Sequence, residues 1–223
     1  MQNQPPATLA LRVAALFNNA RQGNYALVDV DFVFHAGSSG VVLALCPFGE
    51  EMSDYDDIMK PLMAGDVDVL EEIASIVDDF PCGQDDFISR HWITNAIDCG
   101  TKEVVAWMLA KGAPVVFQDD EGFSVLHSAI DRERPDRIEI IRMLLEAGAD
   151  IDAHGTNDWT PAHHAAARND VEALKVLVDA GADLSVRTRI DDYATPLEEA
   201  EMLGHSPDAV AYLRQRNRTR RHS

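Results

Sequence analysis

Apolar and polar positions along the second half of the chain alternate between two helical patterns, and the pair of patterns recurs. Leu126, Ala129 and Ile130 share one stripe at helical spacing, with polar residues between them. Ile138, Ile141, Met143, Leu144 and Leu145 form a second helix that is apolar on most sides, as a helix clamped between two neighbours should be. Gly148 follows its last turn, where a left-handed residue closes a helix, and Gly112 and Gly181 stand at the same point of their own segments. Thr160-Pro161 predicts a helix start, threonine capping the free amides and proline taking the first helical position, and Thr195-Pro196 repeats it. The small side chains of Ala129, Ala165 and Ala166 let paired helices approach closely. A generic helical bundle also has apolar stripes, but it gives no reason for glycine and Thr-Pro to return in phase.

The phase is visible as a phrase. Phe-Ser-Val-Leu-His-Ser-Ala at 123–129 becomes Trp-Thr-Pro-Ala-His-His-Ala at 159–165 and Ala-Thr-Pro-Leu-Glu-Glu-Ala at 194–200. Leu-Leu-Glu-Ala-Gly-Ala-Asp at 144–150 is matched by Leu-Val-Asp-Ala-Gly-Ala-Asp at 177–183. One step back, the opening at His91-Trp92-Ile93-Thr94 departs from the phrase, but Gly100 to Val105 and Met108 to Ala113 keep its second half; Gly65 to Leu70 is an earlier echo. These residues resemble the ankyrin repeat, whose signature is Thr-Pro-Leu-His-x-Ala in a unit of about 33 residues. The resemblance covers about 56–213 and implies a mainly α solenoid of about five repeats, each unit leaning on its neighbours. It also implies that His127 and His163, at the repeat's own histidine position, bridge adjacent units by hydrogen bonds.

The first 55 residues do not follow the repeat. Thr8 to Arg21 reads as a helix with Leu9, Val13, Leu16 and Phe17 on one side and Gly23 as its stop. Val28 to Phe34 alternates as a half-buried strand, His35 to Gly40 makes a turn, and Val41 to Leu45 a second strand. A helix plus β-hairpin is expected to cap the open end of the stack, with a recognition element as the alternative. The acidic run from Glu50 to Asp57 reads as a solvated linker. The expected organisation is therefore a capping region at 1–55, the repeat domain at 56–213 and a disordered basic tail at 214–223.

Charge changes the picture next. The net charge is −19. The tail after Leu213 holds five of the 19 basic residues and none of the 38 acidic ones, so residues 1–213 carry 14 basic groups against the same 38, a net of −24. Such a body repels nucleic acid and anionic membranes and speeds association with a basic partner at low salt. Solubility alone is the competing explanation. Forty-six per cent apolar and 26 per cent charged residues suit a water-soluble fold, and no apolar run approaches the ~20 residues of a membrane span. The start lacks the basic region of a secretory signal. Three scattered cysteines without a CxxC pair fit idle thiols in a reducing cytoplasm.

In ankyrin-like stacks the connections between units project as fingers, and partners lie on the fingertips and the facing first-helix positions. Carried onto this chain, the fingers hold Asp85, Asp86, Phe87 and Arg90; Gln118, Asp119, Asp120, Glu121 and Phe123; His154, Thr156, Asn157, Asp158 and Trp159; and Arg189, Asp191, Asp192 and Tyr193. The facing first-helix residues are Asp98, Asp131, Arg132, His164 and Arg168. Carboxylates mixed with exposed aromatics have the make-up of a binding hot spot. The alternative is internal: Phe123 and Trp159 packing on adjacent fingers, and Asp119 making a tight turn.

Catalytic and metal chemistry finds little support. His163 and His164 are adjacent and point about 100° apart on a helix, which does not suit one metal. There is no GxGxxG, GxxxxGK[ST], GxSxG or HExxH pattern, and no cofactor is expected. An enzyme confined to residues 1–55 would lack both a core of its own and a motif. The arginine tail could touch nucleic acid or an acidic partner, against the charge of the body. The expected function is non-catalytic: a monomer that binds and inhibits or sequesters a basic protein, in the manner of an immunity protein or antitoxin. A general scaffold, or a host-directed interaction protein without inhibitory task, is the alternative.

Overall fold

A computed structural model of the chain describes residues 32–37, 40–45, 54–85, 87–119, 122–190 and 193–220. Ten α-helices among the described residues fall into five pairs. They are α1 (Asp54–Ala64) with α2 (Val67–Ala74), α3 (Trp92–Cys99) with α4 (Lys102–Ala110), α5 (Val125–Asp131) with α6 (Arg137–Glu146), α7 (Pro161–Ala167) with α8 (Val171–Asp179), and α9 (Pro196–Leu203) with α10 (Pro207–Arg220). First helices pack on first helices and second on second, in chain order, which is a stack of repeated units.

The local chemistry follows the sequence. Thr160 caps α7 with Pro161 at its first turn, and Thr195 and Pro196 do the same for α9. Gly112, Gly148 and Gly181 have φ of 86°, 91° and 103° just past the second helices α4, α6 and α8, the left-handed closure that glycine adopts without steric cost. First helices contribute small side chains to the core: Ala96, Ala129, Ala162, Ala165, Ala166 and Ala200 are all buried. Large fully buried side chains come from both helices of a pair, Ile93, Ile97, Leu126 and Ile130 from the first and Met108, Ile140, Ile141, Leu144, Leu174 and Leu177 from the second. Helices with alanine faces pack closely, and the branched and long side chains fill the space between layers.

Four differences from expectation stand out. The acidic run read as a linker is helical from Asp54 onward, and Tyr55 packs into the stack, its ring 5.9 Å from that of Trp92. The basic tail does not start a disordered segment at 214: α10 continues through Arg220. Arg214 pairs with Glu201 at 2.9 Å and Arg216 with Asp179 at 2.7 Å, so the arginines neutralise acids of α9 and α8 instead of leaving the body. In the N-terminal part, β1 (Phe32–Gly37) and β2 (Gly40–Leu45) pair antiparallel, the first strand beginning and ending later than the alternation suggests. Their principal contacts are with each other, which does not support the expected cap on the stack. The helix expected over 8–21 lies outside the described residues.

Candidate functional site

Each finger closes by backbone pairing across its neck. Asp85 N–H bonds to the Arg90 carbonyl at 2.8 Å, Asp119 N–H to Phe123 at 3.0 Å, Gly155 N–H to Trp159 at 2.7 Å and Thr188 N–H to Ala194 at 3.0 Å. The histidine position then ties one unit to the next. His127 accepts the Ser124 hydroxyl on Nδ1 at 2.8 Å and donates Nε2–H to the Trp159 carbonyl at 3.0 Å. His163 does the same with Thr160, at 2.8 Å, and Ala194, at 3.0 Å. A carbonyl can only accept, so Nε2 carries the proton; Nδ1 also accepts the backbone N–H of Ser124 in one case and Thr160 in the other, so each ring is neutral. Burial holds the His127 pKa down to about 4, the His164 ring adding to the effect, and burial lowers that of His163 as well.

Several residues expected on the partner surface are spent on the fold. Asp85 is 3% exposed: its Oδ1 accepts the Phe87 and Ile88 amides at 3.1 and 2.8 Å, and its Oδ2 accepts Asn95 Nδ2 at 2.8 Å. A carboxylate with that many donors shapes the finger and is not presented to a partner. Arg132 is likewise buried, its side chain 0% exposed. It donates to the carbonyls of Ile97 and Gly100 in the preceding unit and makes a two-pronged contact with Asp136. Asp119 accepts the Phe123 amide at 2.7 Å, the tight-turn role. Gln118, exposed, donates to the His154 carbonyl of the next finger. His154 Nδ1 sits 3.0 Å from Asp158 Oδ1. Asp158 also receives Arg189 from the last finger at 2.6 Å, and those bonds hold its carboxyl down to about 2. Asn157 is exposed in a left-handed turn with φ 57°. Asp86, Asp120, Glu121, Asp191 and Asp192 lie outside the described residues.

Phe123, Asp131, Trp159, His164 and Arg168 converge at the junction of α5 and α7. His164 Nε2 meets Asp131 Oδ1 at 2.7 Å, and Arg168 Nη1 meets the same oxygen at 3.1 Å. Phe123 lies edge-on to both His127 and His164, at 5.9 Å in each case, and Trp159 lies 6.2 Å from His164. Both aromatics are partly exposed. Thus two fingers and two first helices bring one carboxylate, one arginine and four rings together. Asp98 holds the position of Asp131 one unit earlier and pairs instead with Arg90 of its own finger, at 2.6 Å; burial raises its pKa and Arg90 partly offsets this. Tyr193 stands apart, 61% exposed, with only its carbonyl engaged by Arg187.

Sequence reasoning missed Tyr55, whose ring lies 5.4 Å from that of Phe87, the latter 71% exposed at the first finger. The first unit lacks the repeat's phrase, so no residue pattern marks Tyr55 as part of a first helix. Among the described residues no group of three or more His, Cys, Asp or Glu could hold a metal ion, and no helix is long and apolar enough to cross a membrane.

Stacked helix pairs, histidine bridges and finger turns in phase define a repeat solenoid. Residues 133–178 match the family model described as "Ankyrin repeats (many copies)". The chain is similar to "Protein fem-1 homolog A" of Rattus norvegicus, 28% identical over 115 residues, covering 47% of this chain and 17% of that protein. It is similar to "Ankyrin repeat and SOCS box protein 11" of Homo sapiens, 30% identical over 128 residues, 54% of this chain and 38% of that protein. "RelA-associated inhibitor" of Mus musculus is 34% identical over 96 residues, 43% of this chain and 11% of that protein. The chain thus spans well under half the length of these relatives. The chain thus carries ankyrin repeats, and stacks of such repeats are protein-interaction modules.

Proposed function

We propose that this chain is a non-catalytic, monomeric binder that inhibits or sequesters a basic protein through the fingers and first helices of its central units, in the manner of an immunity protein or antitoxin working in the cytoplasm. The observation that carries the reading is the junction of α5 and α7. There, partly exposed Phe123 and Trp159 lie about 6 Å from His164 (5.9 and 6.2 Å), which bonds the Asp131 carboxylate, on a chain of net charge −19. Aromatic anchors supply buried area on binding, and the field of the body supplies attraction and on-rate. The cations of the stack reinforce this. Lys102 pairs with Glu139, Lys111 with Glu71 and Arg137 with Asp170, each across neighbouring units, so positive charge is largely consumed internally. One relative bears "inhibitor" in its name, which accords with an inhibitory role here.

The test is capture of partners from source-cell lysate on the full chain, then affinity for the captured protein at rising ionic strength. A basic partner whose affinity falls steeply with salt is expected, together with loss of its own activity on binding. Affinity indifferent to salt overturns the reading. A second reading, a general scaffold or host-directed interaction protein without inhibitory task, draws on the exposed Phe87, Ile88, Ile190 and Tyr193. It predicts several partners held by apolar contacts with little salt dependence.

A further inference from the structure

The junction of the third and fourth units has the geometry of a receptor for one kind of side chain. Phe123 and Trp159 occupy the same step of consecutive fingers, and each ring stands about 6 Å from His164 (5.9 and 6.2 Å). His164, 9% exposed, forms the floor between them. Its Nε2 bond to Asp131 fixes the carboxylate against the first helices. The His164 and Arg168 contacts both fall on Oδ1, and 39% of the Asp131 side chain stays exposed to a further donor. Two aromatic rings and an accessible carboxylate that all meet the one imidazole suit a planar cation. A guanidinium can lie on a ring while its N–H groups reach the carboxylate, which an ammonium, a point charge without a plane, does less well.

One arginine of the chain already reaches this carboxylate. Arg168 is 45% exposed and reaches Asp131 through one contact of 3.1 Å. By contrast, Arg189 engages Asp158 through both Nε and Nη2. Arg168 is therefore weakly held on the carboxylate that an arriving guanidinium would use. We propose that the cradle formed by Phe123, Trp159, His164 and Asp131 receives an arginine side chain of the protein partner, and that Arg168 is the placeholder it displaces. This rests on the basic-protein reading above and narrows it to one contact and one residue type.

The experiment measures binding of fluorescent arginine and lysine octamers to the full chain by anisotropy, at low and at physiological salt. The arginine peptide is expected to bind about tenfold more tightly than the lysine peptide, the size of one good cation–π and carboxylate contact. Asp131→Asn keeps an acceptor for His164 but removes the charge, and it should erase the preference while leaving lysine binding within about twofold; Trp159→Leu should act in the same direction. Arg168→Gln should strengthen arginine binding several-fold. Arg142→Gln, which removes the same charge from an exposed position on α6, should change it much less. If both peptides bind equally, or Asp131→Asn leaves the preference intact, or Arg142→Gln matches Arg168→Gln, the cradle is not an arginine site while the basic-protein reading stands. If neither peptide binds at low salt, that broader reading fails together with this one.

Discussion

The central junctions of the stack and the junctions nearer its start solve one problem by different means. Between the third, fourth and fifth units a histidine at the same step of α5 and α7 carries a hydrogen bond forward to the next finger, from His127 to Trp159 and from His163 to Ala194. At the same step of α3 stands Thr94, a buried residue whose hydroxyl has no hydrogen-bond partner. The second unit therefore sends no such bond to the third, and the join before it, between the first and second units, depends on aromatic packing, with Trp92 against Tyr55 and Phe80, and Phe80 against Trp107. Arg132 adds a bond backward from the third unit into the carbonyl ends of α3. Polar bridges fix spacing and orientation at the centre, where the candidate surface lies. Apolar contact suffices where no such surface has to be aligned. A rigid scaffold beneath the Asp131 cradle is what a specific interface requires.

The largest effect should come from the packing common to all junctions. Leu144 is fully buried in α6, between α4 and α8. Leu144→Ala is expected to cost about 2–5 kcal/mol in denaturant unfolding. It should also speed hydrogen exchange in the second and fourth units, because each unit is stabilised by its neighbours. Faster exchange confined to the third unit would show that the units do not support one another.

Acid should separate the two kinds of junction. The unfolded chain's histidines titrate near 6.5, while His127 in the fold titrates at about 4. Between those values the unfolded state binds more protons, so stability is complete above pH 6.5 and is lost as pH falls toward 4. The slope is about 1.4 kcal/mol per pH unit for one such group. His163, shifted in the same direction, adds to it. Asp98 and Asp152, whose carboxyls burial raises, act with the opposite sign. The difference between wild type and His127→Ala isolates the histidine: the variant's stability should fall less steeply between pH 6.5 and 4. Parallel curves would mean that the bridge is not the titrating element.

At neutral pH the bridge itself can be weighed. His127→Ala leaves the Trp159 carbonyl and the Ser124 hydroxyl without their partner, a loss expected to cost about 1–3 kcal/mol, and His163→Ala should cost a similar amount. Equilibrium unfolding in urea measures both.

Much of this was readable from residues, and the reasons are local. Thr-Pro starts, glycine stops and alternating stripes depend on a few neighbouring residues, and the observed helices follow them from Trp92 to Leu203. The site was legible only where side chains on the shared repeat step face outward, as Asp131, His164, Phe123 and Trp159 do. It was not legible where the third dimension redirects a polar group. Nothing in the spacing shows that Asp85 turns inward to accept two amides, or that Arg132 reaches back 35 residues to the Ile97 carbonyl. The arginines after Leu213 read as a free tail because their acids, Asp179 and Glu201, are distant in sequence and adjacent only across stacked helices.

The smallest expected change is the sharpest check on the comparison. Thr94 occupies the bridging step but makes no bridge, so its buried hydroxyl is desolvated without return. Replacing it with valine keeps the shape and removes that unmet demand. Thr94→Val should therefore leave stability unchanged or raise it by up to about 1 kcal/mol. A loss of stability comparable to that of His127→Ala would mean that Thr94 carries a polar link between the second and third units after all. The contrast between bridged central junctions and an unbridged one at the second unit would then have to be abandoned.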